Sequence, residues 1–188
     1  MKVILASASP RRQELLRSVF DEFECMPADI EENVPDSVPA EDTAEFLAVK
    51  KAAHIAESHK DALVIGCDTI VVFSGNVFGK PVDEAEAKQM LTALSGNTHK
   101  VITGVCMFLH GRSMSFSEKT EVEFYRLSEE EIDSYIATGS PMDKAGSYGI
   151  QDKGFLPAKS ITGDYFNVVG LPAARLKREA ERFIKLLK

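Results

Sequence analysis

Residues 62–73 read Ala-Leu-Val-Ile-Gly-Cys-Asp-Thr-Ile-Val-Val-Phe. The run is apolar and rich in β-branched side chains, and a Ser74-Gly75-Asn76 turn closes it. This is the strongest strand signal in the chain. One acid, Asp68, interrupts it. A carboxylate there costs desolvation unless a cation, a metal or a hydrogen-bond donor meets it.

The elements around this strand give the fold class. Residues 2–6 predict a buried strand, and Ser9-Pro10 starts a helix, with serine as N-cap and proline at the first helical position. Leu15, Leu16, Val19 and Phe20 form that helix's apolar face. Residues 22–26 suit a second strand. Residues 27–41 hold three prolines and several acids and read as a loop, and an alanine- and lysine-rich helix follows from about 42 to 59. Asp83 to Leu94 is helical, with Met90, Leu91 and Leu94 inward and Ser95-Gly96-Asn97 as the stop.

Residues 98–110 and 114–126 predict two long strands joined at His110-Gly111-Arg112-Ser113, with Thr120, Val122 and Phe124 as core. A hairpin of this kind excludes a purely parallel sheet. Ser128 to Glu131 fits a capping box opening a helix to about 138. Residues 141–170 read as glycine-rich and irregular with short strands. Leu176, Ala180, Phe183, Ile184 and Leu187 recur at helical spacing, so an amphipathic helix follows. The class is α/β with a mixed sheet and flanking helices, in one domain over 1–188.

Composition excludes several functions. The chain has 188 residues, 44% hydrophobic and 27% charged, which is ordinary globular usage. No apolar run nears the roughly 18 residues of a membrane span, and no signal peptide is apparent, so a cytoplasmic protein is expected. A net charge of −7 argues against a nucleic-acid polymer as partner. Cys25, Cys67 and Cys106 are odd in number and lack CxxC spacing, so each is expected to pack as a small apolar residue. The four histidines form no HExxH-type ligand pattern.

Four segments carry candidate chemistry. Ser7, Ser9, Arg11 and Arg12 follow the first strand at a helix start. Cations in a first turn oppose the helix dipole, and a bound phosphate offsets that cost. Capped helix and solvated arginines form the alternative. Asp68 suits Mg²⁺ binding or proton removal from a water, against a strand-end carboxylate bonding backbone amides. Lys80, between Gly79 and Pro81, suits a phosphate contact or an exposed turn, and its surroundings lack the Walker spacing. In residues 143–151, two glycines and Tyr148 allow close approach to a ligand, and Gln151 offers both a donor and an acceptor to a base edge. Glu31-Glu32 reads as a solvated acidic loop or a second oxygen ligand, and Lys50-Lys51 as a solvated helix face. Together these favour metal-assisted attack of water on a phosphoryl group.

Several motifs in fixed order resemble the Maf family of nucleotide pyrophosphatases. They are Leu5 to Arg12, Gly66-Cys67-Asp68-Thr69, Gly79-Lys80-Pro81, Leu94-Ser95-Gly96, Asp143 to Gly146, Tyr148 to Gln151 and Val169-Gly170-Leu171-Pro172. The resemblance runs from Val3 to about Leu176, with Cys67 replacing a commoner alanine or serine. It implies an elongated mixed α/β fold with a cleft between two lobes, shared with inosine triphosphate pyrophosphatases. It implies metal-dependent hydrolysis of a nucleoside triphosphate between the α and β phosphates, with Mg²⁺ or Mn²⁺ as cofactor. By motif, Asp68 is the proton acceptor. Ser7, Ser9, Arg12 and Lys80 hold phosphates, Glu31 holds the metal with Asp68, and Lys50 faces the substrate. Arg11, Thr69 and Gln151 match the subfamily acting on dTTP and UTP and not the 7-methyl-GTP type. The resemblance also implies a homodimer as a possible assembly. A nucleotide-binding regulator of septum formation and a purine-type pyrophosphatase are the competing functions.

Overall fold

The computed structural model describes residues 1–187; Lys188, the last residue of the expected domain, lies outside them. The strands are β1 (Val3–Leu5), β2 (Glu24–Cys25), β3 (Leu63–Phe73), β4 (Asn76–Phe78), β5 (Thr98–Leu109), β6 (Arg112–Phe124) and β7 (Ala158–Thr162). The helices are α1 (Pro10–Leu16), α2 (Thr43–Ala56), α3 (Glu84–Leu94), α4 (Glu129–Ile136), α5 (Tyr165–Val169) and α6 (Ala173–Leu186). The seven strands form one mixed sheet in the order β2-β1-β3-β5-β6-β7, with β4 beside β3. No helix among the described residues is long and apolar enough to cross a membrane.

The chain divides into two compact units. The first holds Met1–Asp68, Thr103–Glu118 and the chain from Gly170 on; the second holds Thr69–Ile102 and Lys119–Val169. In the first unit β1 pairs in parallel with both β2 and β3, with Leu5 opposite Cys25 and Ile65. Side chains alternate across β3. Leu63, Ile65 and Cys67 pack with Leu16, Leu176, Ala180 and Phe183, whereas Ala62 and Val64 pack with Ala48 and Ala52 of α2.

Two glycines let α2 lie close on this second face. A Cβ on Gly66 would fall 2.4 Å from the Ala48 carbonyl oxygen, and one on Gly104 2.3 Å from the Ala44 backbone. With alanines on the helix and glycines on the strands, the backbones approach as no larger pair would allow. Everything α2 presents to the sheet is thereby fixed in depth.

The second unit centres on Val71, Leu91, Leu94, Val122, Phe124, Ile132, Tyr135 and Tyr148. Lys88 of α3 bridges to Glu129 and Asp133 of α4 at 2.9 and 2.7 Å. The expected capping box is present, with the Ser128 hydroxyl accepting from the Glu131 N–H and the Glu131 carboxylate accepting from the Ser128 N–H.

The structure corrects the sequence reading in three places. Cys25 is exposed, because β2 is a two-residue strand with neither side chain covered; only Cys67 and Cys106 are buried. A three-residue strand, β4, returns from the Ser74-Gly75 turn and pairs antiparallel with β3. The short strands expected over 141–170 reduce to β7, beside two 3₁₀ turns (Ser140–Asp143 and Ala145–Ser147) and α5. The core assignments agree with the structure, Thr120, Val122 and Phe124 being at most 2% exposed.

Candidate active site

In the first unit the Ser7 to Arg12 candidates follow the end of β1, and Asp68 follows the part of β3 that pairs with β1 in parallel, the side on which open α/β sheets place their ligands. β1 ends at Leu5, and the Ala6 N–H donates to the Ile65 carbonyl at 2.8 Å. That bond carries the 6–9 loop out beside Gly66-Cys67-Asp68. Ser9 caps α1 as expected, its Oγ accepting from the Arg12 N–H at 3.5 Å. α1 is only seven residues long, so the groups that matter for an anion are side chains. Arg12 is aimed by two contacts: its Nε donates to the Gly170 carbonyl at 3.0 Å and its Nη1 to the Ser7 Oγ at 3.3 Å. Ser7 Oγ also accepts from the Ser9 N–H at 3.2 Å. Arg11 lies half-buried one position earlier on the same helix.

Asp68 is buried, 8% exposed, well inside β3 and not at its end. Its Oδ1 accepts from the Lys51 ammonium at 2.5 Å. The same ammonium pairs with Glu32 Oε1 at 2.8 Å. Lys51 reaches this position because α2 is seated on Gly66: Gly66 and Asp68 face α2 from the same side of β3, and Lys51 adjoins Ala48 and Ala52 on the helix's inner face. Burial pushes the Cys67 thiol up to about 11, and Arg12, Asp68 and Lys51 all act on it electrostatically. Arg12 and the Asp68 carboxylate therefore share one neighbourhood within this unit.

Lys50 behaves differently from its neighbour. Its ammonium donates to the backbone carbonyls of Glu31 and Asn33, at 2.9 and 3.2 Å. These residues flank Glu32, so Lys50 straps the acidic loop down while Lys51 takes its carboxylate. The Glu31 side chain turns to the Asn33 amide at 3.0 Å. Glu32, and not Glu31, thus shares a cation with Asp68. The sequence offered the Glu31-Glu32 pair as a second oxygen ligand but singled out Glu31, and it read Lys51 as part of a solvated helix face, whereas Lys51 is buried. The signal for Lys51 was available, since it continues the buried stripe Ala44, Leu47, Ala48 and Ala52.

Among the described residues no three His, Cys, Asp or Glu side chains gather as a ready metal cage. The oxygen pair Asp68 and Glu32 nevertheless fits a hard divalent cation of the Mg²⁺ type, which needs one or two carboxylates and draws its other ligands from water and phosphate. Their common contact with one ammonium shows that both carboxylates reach toward a single positive centre.

In the second unit, Thr69 is half-buried in β3. Lys80 is exposed just after β4, and Gln151 is exposed on the loop after Ala145–Ser147. Two contacts bring these segments together. The Gly146 N–H donates to the Gly79 carbonyl at 3.0 Å. Val71, two residues beyond Thr69, presses on Gly146, where a Cβ would stand 2.7 Å from it.

Comparison with known proteins gives the family and the fold. The dTTP/UTP pyrophosphatase of Bacillus cytotoxicus is 50% identical over 182 residues, covering 97% of this chain and 95% of the relative. A protein of the same name from Bacillus cereus has the same identity and coverage. The solved structure of a HAM1 protein from Coxiella burnetii covers 97% of this chain and 99% of its own with a TM-score of 0.56, and at 15% identity it shows the fold alone. The profile described as Maf-like protein matches residues 2–183. With Asp68 and its neighbours inside that match, the chain belongs to the family of Maf-like proteins.

Proposed function

We propose that the chain hydrolyses dTTP and UTP between the α and β phosphates, giving the nucleoside monophosphate and pyrophosphate. The observation that carries this reading is the buried Asp68 carboxylate, held by Lys51 beside Glu32 and near the Arg12 and Ser7 pair. The relatives named dTTP/UTP pyrophosphatase support the choice of substrate.

Asp68 takes the proton of a water as its oxygen bonds to phosphorus, the bridging P–O bond breaks, and pyrophosphate leaves. Lys51 fixes the carboxylate's orientation, so its lone pair faces the water without a search over rotamers. Arg12, set by Gly170 and Ser7, meets phosphate oxygens through its planar fork, and Ser7, Ser9 and Lys80 add donors. Asp68 and Glu32 would hold a divalent metal, with Glu32 in the role the resemblance gives Glu31. Such a cation, when bound, supplies positive charge for the phosphate oxygens. Arg11, Thr69 and Gln151 are proposed to set base preference. Gln151 carries both a donor and an acceptor, as a uracil or thymine edge requires.

The test is Asp68→Asn. It keeps the shape and leaves the Lys51 ammonium the carboxamide oxygen as an acceptor. Turnover should fall by about 10²–10⁴-fold while nucleotide binding persists. A near-normal rate would remove Asp68 as the base. The competing regulator of septum formation predicts binding without hydrolysis in the unaltered protein.

A further inference from the structure

Gln151 sits on a turn gripped from below by a part-buried polar network. Of residues 148–152 it alone is exposed. The Asp152 Oδ2 accepts from the Tyr135 hydroxyl at 2.6 Å and from the Ser140 hydroxyl at 2.6 Å. The Lys144 ammonium stands 3.4 Å from the same oxygen and donates to the Ser140 carbonyl at 2.7 Å. The Tyr135 hydroxyl in turn accepts from the Gly149 N–H at 3.0 Å, and the Asp152 N–H donates to the Gly149 carbonyl at 3.1 Å. Both ends of the 149–152 turn are thus tied to one hydroxyl.

The fit is close. A Cβ on Gly149 would fall 2.4 Å from Asp152 Oδ1 and 2.7 Å from the Lys144 side chain. On the other flank the Tyr148 hydroxyl bonds His99 Nε2 at 2.8 Å. Setting a buried ammonium beside a part-buried carboxylate under a surface turn costs desolvation, and apolar packing would hold a loop at least as well. What the network adds is direction. A satisfied polar network fixes one arrangement of the backbone, as an apolar contact does not.

We propose that Tyr135, Ser140, Lys144 and Asp152 are positioning residues for Gln151, and that discrimination among nucleoside bases depends on them. The inference rests on the reading of Gln151 as a base-contacting residue.

The experiment uses the full-length chain and three variants: Gln151→Ala, Tyr135→Phe and Asp152→Asn. Tyr135→Phe removes one oxygen and keeps the ring, which stacks on Phe155 with centroids 3.8 Å apart. kcat and KM are measured for dTTP, UTP, CTP and GTP. Gln151→Ala should lower the preference for dTTP and UTP over CTP in kcat/KM. Tyr135→Phe removes both hydrogen bonds of its hydroxyl and should lower the same preference at least about fivefold, the worth of one net hydrogen bond, through KM and with kcat unchanged. Asp152→Asn, which keeps the side chain's shape, should act in the same direction, and it decides the matter if Tyr135→Phe does not fold. If Gln151→Ala shifts the preference while the network variants scale all four substrates equally, the positioning role is overturned and the base reading stands. If Gln151→Ala leaves the preference intact, the base reading falls and the positioning role falls with it.

Discussion

Acidification should destabilise the protein through one buried ring. His99 lies on β5 and is 2% exposed. Its ring meets Phe124 and Tyr148 edge-on at centroid distances of 4.8 and 5.4 Å. Nε2 bonds the Tyr148 hydroxyl, and Nδ1 is buried with no hydrogen-bond partner among the described residues. A proton on Nδ1 would point at no acceptor. Burial accordingly lowers the His99 pKa from 6.5 to about 4. Between these values the unfolded chain binds a proton that the folded chain refuses. Stability is therefore complete above pH 6.5 and is lost as the pH falls toward 4. The gap corresponds to about 3 kcal/mol, or about 6–12 °C in Tm for a chain of this size. The assay is thermal melting from pH 7.5 to 4 for the native chain and for His99→Gln, which cannot take up the proton. His99→Gln starts lower at pH 7.5, because its ring contacts are gone, but its curve should be flatter by about this amount. Parallel curves from pH 6.5 to 4 would refute the argument.

Two substitutions probe the other main contacts. Lys51→Met leaves Asp68 buried without its cation, which should cost about 3–5 kcal/mol in urea unfolding and abolish turnover. The double variant Lys51→Met/Asp68→Asn should recover most of that stability but no activity, and additive losses would show that the pair is not coupled. Gly66→Ala places a Cβ 2.4 Å from the Ala48 carbonyl oxygen, so α2 must lift from β3. A loss of about 1–3 kcal/mol is expected, with turnover falling as Lys51 moves away from Asp68; unchanged activity would separate α2 seating from catalysis.

Much of the fold was legible because local signals and burial agreed. The run 62–73 became β3, Ser9-Pro10 became the start of α1, and Ser128 to Glu131 became a capping box. Asp68 stood out because a lone carboxylate in an apolar strand demands a partner. Its partner was harder to see. Lys50 and Lys51 are chemically identical neighbours, and only the phase of α2 separates a strap on the acidic loop from a buried cation. Glu31 and Glu32 pose the same problem in a loop, where no periodicity exists to separate them. Cys25 was misread because a two-residue strand leaves too little pattern to reveal an uncovered edge. The irregular stretch around α5 is ordered largely by tertiary bonds. Asn167 donates to the Val101 carbonyl at 3.0 Å and to Thr120 Oγ1 at 2.9 Å, and neither partner lies nearby in the chain.

Pyrophosphate release from dTTP, UTP, CTP, GTP, 7-methyl-GTP and ITP, with and without Mg²⁺ or Mn²⁺, tests the central claim most directly. The account predicts metal-dependent release led by dTTP and UTP. Release led by a purine nucleotide would contradict the assigned roles of Arg11, Thr69 and Gln151, and binding without release from any of the six would contradict the proposed hydrolysis itself.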